Sequence, residues 1–418
     1  MSNYMVTVSQ YYNCLIDIRL YFYQILIICF ILQGANSHGQ LSIGETNEQV
    51  KTPTKVVYEC CNSHGVQQVA CGGGHSLLLD KDGKLFSCGW NIKLQLGKEN
   101  ETEMFERVWK LSGIKFTNIV CGWDFSCAVT DDNFLFVWGS NSNGQLGLPK
   151  EHFTDIVKPI RLQVNACSVS MGLRHTAIVN SKGEVWITGC GKHGQLGLGE
   201  ETLQSDRFQN VQKVGKITHI ACGQNHTAAW CTEEKALYVW GDNKHGQLLL
   251  SPEKYKKIYT PQKIDIDVKQ GIRKLLSGWT NMLLWLENGT LLCWGRNSYG
   301  QLGTEQPFVG KIVKVNLPDF HCLLLVSDNR VVQDVVLGSE HTICLATDNT
   351  LWAWGWNEHA NTGTDSGEHV FQPTQVLLNM NPSEKITQIY AGGAHNFIYI
   401  EDTKQEMEQV TEKSVDCD

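Results

Sequence analysis

Residues 138–147 read Trp-Gly-Ser-Asn-Ser-Asn-Gly-Gln-Leu-Gly. The last seven, N-x-x-G-Q-L-G, return along the chain: NSHGQL at 36–41, KHGQLG at 192–197, NKHGQL at 243–248 and NSYGQLG at 297–303, with degenerate copies NIKLQLG at 91–97 and NEHANTG at 357–363. Aligned on the glutamine, Gln40, Gln95, Gln145, Gln195, Gln247, Gln301 and Asn361 are separated by 55, 50, 50, 52, 54 and 60 residues. A second motif, G-x-x-H, runs in phase with it at 72–75, 172–175, 223–226, 338–341 and 392–395. Two further copies lose the histidine and read Gly-Trp-Asp-Phe at 122–125 and Gly-Trp-Thr-Asn at 278–281. Two independent motifs give the same count of seven units, and repetition at this period is the mark of a repeat architecture.

Each unit reads as short antiparallel strands. Val69-Ala70-Cys71 leads into Gly72, residues 75–79 form an apolar run, Asp82-Gly83 supplies a hairpin turn, and Leu85-Phe86-Ser87-Cys88 is the next run. Lys182-Gly183 and Asn288-Gly289 hold the turn position in other units. A fourth strand follows each G-Q-L-G loop, with Pro53, Pro159, Pro261 and Pro373 near its start, and proline there fits an outer edge. Four strands repeated seven times without helical periodicity predict an all-β chain, a seven-bladed β-propeller of four-stranded blades spanning residues 34–400. The chain's 418 residues would otherwise suggest two or three domains.

The net charge of -8 lacks the basic footprint of a nucleic-acid binder. Sixteen cysteines recur inside apolar runs, as at Cys71, Cys121 and Cys222, and none forms a C-x-x-C pair. They read as free thiols in a reducing compartment. No G-x-x-x-x-G-K-[ST] run is present to hold a nucleotide.

These motifs resemble the regulator of chromosome condensation repeat, whose signature is W-G-x-N-x-x-G-Q-L-G. Trp138-Gly139, Trp240-Gly241, Trp294-Gly295 and Trp354-Gly355 supply the W-G step. Within that family a single acidic propeller is most similar to the secretion-regulating guanine nucleotide exchange factor branch. The resemblance implies binding to a small GTPase and promotion of its nucleotide release, a role in secretion, and exocyst components as further partners. It also implies a monomer without cofactor, in the cytoplasm with a nuclear pool as a second expectation, and neither a membrane span nor nucleic acid as partner. The alternative is a non-catalytic propeller scaffold. Tryptophan richness also resembles the propeller photoreceptor of plants, but Arg174 is the only arginine at the G-x-x-H loop positions.

The five G-x-x-H histidines, each in a separate loop of the ring, are too dispersed for a metal site and are expected to pin their loops. The two x positions are more informative. In the resembled family, acidic residues of these loops face the GTPase, and only Asp124 and Glu340 match that chemistry here. Trp123 and Trp279 hold the first x position of the two loops without histidine, and an exposed tryptophan is a typical anchor of an interface. Trp123, Asp124, Trp279 and Glu340 are therefore the expected partner-binding residues, with no catalytic or metal-binding residue expected.

Residues 1–33 lie outside the repeat. The apolar run 20–32 is short for a membrane span and is bounded by Asp17 and Arg19, so the segment reads as a hydrophobic leader or as an artefact of gene prediction. Gln33 stands where the repeat expects tryptophan, and Cys29-Phe30-Ile31-Leu32 has to serve as the closing strand. Residues 401–418 read as an acidic disordered tail.

Overall fold

A computed structural model of the chain describes residues 26–60, 65–108, 113–305, 311–315, 317, 331–364 and 368–402. Residues 1–25 of the N-terminal segment and 403–418 of the tail lie outside them. The described residues form seven antiparallel sheets of four strands each. Among them no helix is long and apolar enough to cross a membrane.

Blades 1 to 6 run in chain order, beginning with the strands Val66–Cys71, Phe116–Cys121, Ser168–Met171, His219–Cys222, Ile272–Ser277 and Val332–Leu337. These first strands are innermost: their last residues, from Cys71 to Leu337, line a narrow central channel of about 200 Å³. Blade 7 is composite. Its inner strands, Glu384–Ala391 and His395–Asp402, come from the C-terminal end, and its outer strands, Leu26–Asn36 and Asn47–Cys60, come from the N-terminal end. Residues 29–34 pair with 395–400 to close the ring.

Local sequence explains the blade. The W-G glycines take φ of 95° to 109°, as at Gly139 and Gly241, and a Cβ on Gly139 would sit 2.7 Å from the Phe125 backbone. Only glycine meets both demands. Pro159 and Pro373 fall inside register breaks of the outermost strands, where the missing N–H costs no ladder bond.

The motif side chains join neighbouring blades. Trp138, Trp240, Trp294 and Trp354 are fully buried, and each indole N–H donates to the backbone carbonyl of the motif glutamine in the preceding blade, at 2.8 to 3.2 Å. Two of these carbonyls also accept from hydroxyls: Ser126 donates to Gln95 and Thr227 to Gln195. His75 Nε2 lies 2.9 Å from Ser126 Oγ, and His175 Nε2 lies 3.0 Å from Thr227 Oγ1. Since each hydroxyl proton is spent on a glutamine carbonyl, these histidines donate through Nε2–H, and each Nδ1 is buried without a partner, which suits the neutral ring. Burial agrees, holding His75, His226 and His395 down at about 3 and His175 and His341 at about 4. Blade-to-blade adhesion thus runs through a repeated polar relay set among apolar clusters.

Candidate functional site

Both loop types open on one face of the disc. In each G-x-x-H turn the glycine N–H donates to the carbonyl of the fourth residue, as from Gly72 to His75 and from Gly122 to Phe125, both at 2.8 Å. The fourth side chain folds back onto the glycine: a Cβ on Gly72 would lie 2.2 Å from the His75 ring, and on Gly122 2.2 Å from the Phe125 ring. The turn needs glycine for space. It leaves the two x residues at the mouth of the channel, where the loops bond to one another. Gly73 N–H donates to the Trp123 carbonyl, Gln224 N–H to the Trp279 carbonyl and Trp279 N–H to the Ser339 carbonyl.

Trp123 of blade 2 and Trp279 of blade 5 meet here, with ring centroids 4.9 Å apart and planes at 53°. Both are half-buried. Blades 1 and 7 make room for Trp123, because their first x residues are Gly73 and Gly393. A Cβ on Gly73 would lie 2.6 Å from the indole and one on Gly393 3.3 Å from it. The pair bridges the channel mouth, which spacing alone did not predict.

Asp124 and Glu340 have different surroundings. Asp124 is half-buried next to Trp123; burial raises its carboxyl above the ordinary aspartate value, while Lys93 and Arg174 pull it back. Glu340, expected on an exposed loop, is only 5% exposed. Its carboxylate accepts from Thr280 Oγ1 at 2.7 and 3.0 Å and from Gln301 Nε2 at 2.6 Å, so it ties blade 6 to blade 5. Burial raises its pKa against these bonds and against Arg296, whose Nη1 lies 3.9 Å away. The geometry behind the difference is that a second x residue can face the motif glutamine of the preceding blade. Asn225 does so, accepting from Gln195 Nε2 at 3.3 Å. Gln95, the counterpart facing Asp124, has no partner on its amide nitrogen.

On one side of the tryptophan pair opens a cleft of about 390 Å³. Trp123 and Trp279 form one wall, and Trp90, Arg296, Tyr299, Trp356, His38 and His359 add to the lining, with Glu340 among them. His38 stacks on Trp90 at 5.1 Å, His359 meets Trp356 edge-on at 5.3 Å, and the Arg296 guanidinium lies 4.3 Å from the Tyr299 ring centre. Sequence reading passed over these residues because they occupy variable positions of the strongest motif. Trp90, Arg296 and Trp356 directly follow the conformationally required glycine, and His38, Tyr299 and His359 precede the G-Q step or its degenerate copy. Aromatic residues at those positions in blades 7, 1, 5 and 6 were the available signal. Among the described residues no three histidine, cysteine or carboxylate side chains come together as a metal site. The chemistry on offer is recognition by aromatic faces, one fixed carboxylate and one arginine.

Comparison with known proteins bears on what is recognised. The family model described as RCC1-like domain matches residues 29–398. The chain is 31% identical to the Secretion-regulating guanine nucleotide exchange factor of Mus musculus, covering 87% of this chain and 82% of that protein. It is 30% identical to the Ultraviolet-B receptor of Arabidopsis thaliana, covering 79% of this chain and 73% of the receptor. Among solved structures it superposes on Prp20p from Saccharomyces cerevisiae with a TM-score of 0.76 at 20% identity, over 94% of this chain and 96% of the other; that structure was described together with the binding of Prp20p to Gsp1p and histones. Two relatives of nearly equal identity carry different functions in their names, so the loop chemistry has to discriminate between them.

Proposed function

This chain belongs to the RCC1-like domain family, and on that premise we propose that it regulates a small GTPase, binding it through the G-x-x-H loop face and promoting release of its guanine nucleotide, in the service of secretion. The observation that carries the reading is the Trp123–Trp279 pair at the centre of that face, with Asp124 beside it. A half-exposed aromatic pair, fixed by backbone bonds to neighbouring loops, suits the anchor of a protein interface. An exchange factor does no covalent chemistry. It binds the nucleotide-free GTPase more tightly than the loaded one, and by linkage the nucleotide then binds less tightly. The similarity to the mouse exchange factor supports nucleotide release, and the association of Prp20p with Gsp1p supports a protein partner. In this reading Trp123 and Trp279 supply contact area, Asp124 supplies charge, and Glu340 positions the blade 5 and blade 6 loops. The protein acts as a cytoplasmic monomer, with exocyst components as further partners.

One observation favours a second reading, a scaffold that binds without exchange. With the Glu340 carboxylate buried against blade 5, Asp124 alone of the two loop acids stands at the surface. Release of a labelled guanine nucleotide from a panel of small GTPases decides between the two. Acceleration by the protein supports exchange. Saturable binding without acceleration leaves a scaffold that holds the GTPase, and no binding to any member removes the exchange reading and leaves only a scaffold for other proteins, such as tethering components.

A further inference from the structure

The cleft beside the tryptophan pair has a composition that an interface anchor does not explain. Four tryptophans, Trp90, Trp123, Trp279 and Trp356, and Tyr299 share its lining with two carboxylates, Glu340, which is buried, and Glu358, which is exposed. Its volume of about 390 Å³ falls in the range of sites that enclose a small molecule or one long side chain. Glu340 is fixed by three hydrogen bonds from Thr280 and Gln301, so its charge is pre-organised. The cleft already accommodates a cation of its own. Arg296 lies over the Tyr299 ring at 4.3 Å and 3.9 Å from Glu340 Oε1, a loose ion pair at a half-buried site.

We propose that this cleft is a receptor site for an organic cation, an alkylated ammonium or a guanidinium carried on a flexible chain, caged by the tryptophan faces with Glu340 as counter-charge. Aromatic faces attract cations through their quadrupoles, and weakly hydrated cations lose least on leaving water. A free quaternary ammonium compound and a modified lysine or arginine side chain of a protein offer the same head group. Arg296 holds the place of the guest in the empty cleft and has to swing aside when the guest enters. The inference stands apart from the GTPase reading, since its probes contain no GTPase.

The test is tryptophan fluorescence and calorimetric titration of the full chain with choline, with its uncharged isostere 3,3-dimethylbutan-1-ol, and with short peptides carrying lysine, trimethyllysine or arginine. Choline is expected to bind about tenfold or more tightly than the isostere, a difference of the size that one cation–π cage provides. Tighter binding of a cationic peptide than of choline assigns the guest to a partner side chain, and the reverse order assigns it to a free compound. Glu340→Gln is expected to narrow the difference between choline and its isostere without abolishing it, because the tryptophan faces remain. Because that residue also joins two blades, Arg296→Ala provides the independent check: removing the resident cation tightens choline binding several-fold, a gain that misfolding cannot produce. Equal affinity for choline and the isostere, no saturable signal from any cationic probe, or weaker choline binding in Arg296→Ala overturns the proposal.

Discussion

Gln33 donates its side-chain amide to the backbone carbonyl of Asn361, 3.2 Å away and 328 residues along the chain. It does there what the W-G tryptophan does at Trp138, Trp240, Trp294 and Trp354. The junction is where the two ends of the chain meet, and its other parts are also exchanged for amides. Asn396 replaces the hydroxyl residue, donating to the same Asn361 carbonyl at 2.6 Å and accepting from His341 Nε2 at 2.8 Å. The relay survives with every side chain but the histidine changed.

Replacing Gln33 therefore tests how much the closure depends on that relay. Gln33→Leu keeps the volume and removes one of two donors to the Asn361 carbonyl, at an expected cost of about 1 kcal/mol in denaturant unfolding. Gln33→Glu costs more, because a buried carboxylate would face that carbonyl without a donor. Equal stability of both variants and the parent would place the strength of the ring elsewhere.

Acid should weaken the ring well above the pH that protonates ordinary carboxylates. Five buried histidines have folded-state pKa values of about 3 to 4, below their ordinary value of 6.5. Unfolding lets each take up a proton, so stability is full above about pH 6.5 and falls as the pH drops toward the folded values, by about 1.4 kcal/mol per pH unit for each histidine well inside that window. Urea unfolding at pH 7.5 and 5.0 measures the loss. Blade 5 carries Asn281 at the equivalent position. His75→Asn should accordingly reduce the pH dependence by close to one proton, and an unchanged slope would refute the assignment.

Much of this was legible in the sequence because the ring is built by repetition. Gln40 to Asn361 set the unit, and the paired glycines, histidines and tryptophans fall where the backbone and the inter-blade bonds require them. The candidate site was less legible, for a physical reason. What the motifs fix is the loop frame, whereas the side chains at Trp90, Tyr299, Arg296 and Trp356 are free to vary within it and leave no periodic trace. Nor did spacing reveal that Trp123 reaches Trp279 across the channel mouth, since that contact depends on the glycines of two other blades. Glu340 read as exposed because its loop is exposed; its carboxylate turns toward Gln301 and Thr280.

Tryptophans in different settings should respond differently to truncation. Trp240 is fully buried and bonded to the Gln195 carbonyl, so Trp240→Ala is expected to cost about 3–5 kcal/mol of stability. Trp123→Ala or Trp279→Ala should leave melting nearly unchanged and weaken partner binding by about 2 kcal/mol. With their rings 4.9 Å apart, the double variant should lose less binding than the sum of the single losses. Stability falling in step with binding would assign the pair to packing.

Asp124 offers the sharpest separation of exchange from binding. It stands beside Trp123 on the loop face, between Lys93 and Arg174, and the Gln95 amide of the preceding blade is not bonded to it. A carboxylate so placed can draw a phosphate-binding lysine of the GTPase away from the nucleotide, an interaction made only once the nucleotide loosens. Asp124→Asn keeps the shape and removes the charge, so nucleotide release should slow by about tenfold or more while affinity for the nucleotide-free GTPase changes less. The pH profile adds a second readout. Burial raises the Asp124 carboxyl above its ordinary value, so on acidification it takes up a proton earlier than a free aspartate does. The parent's release rate should then fall toward that of Asp124→Asn as the pH drops, while the variant's rate stays flat over the same interval, with folding followed in parallel because the buried histidines also respond to acid. Equal losses in release and binding, or a variant whose pH profile matches the parent's, would remove Asp124 from the exchange step.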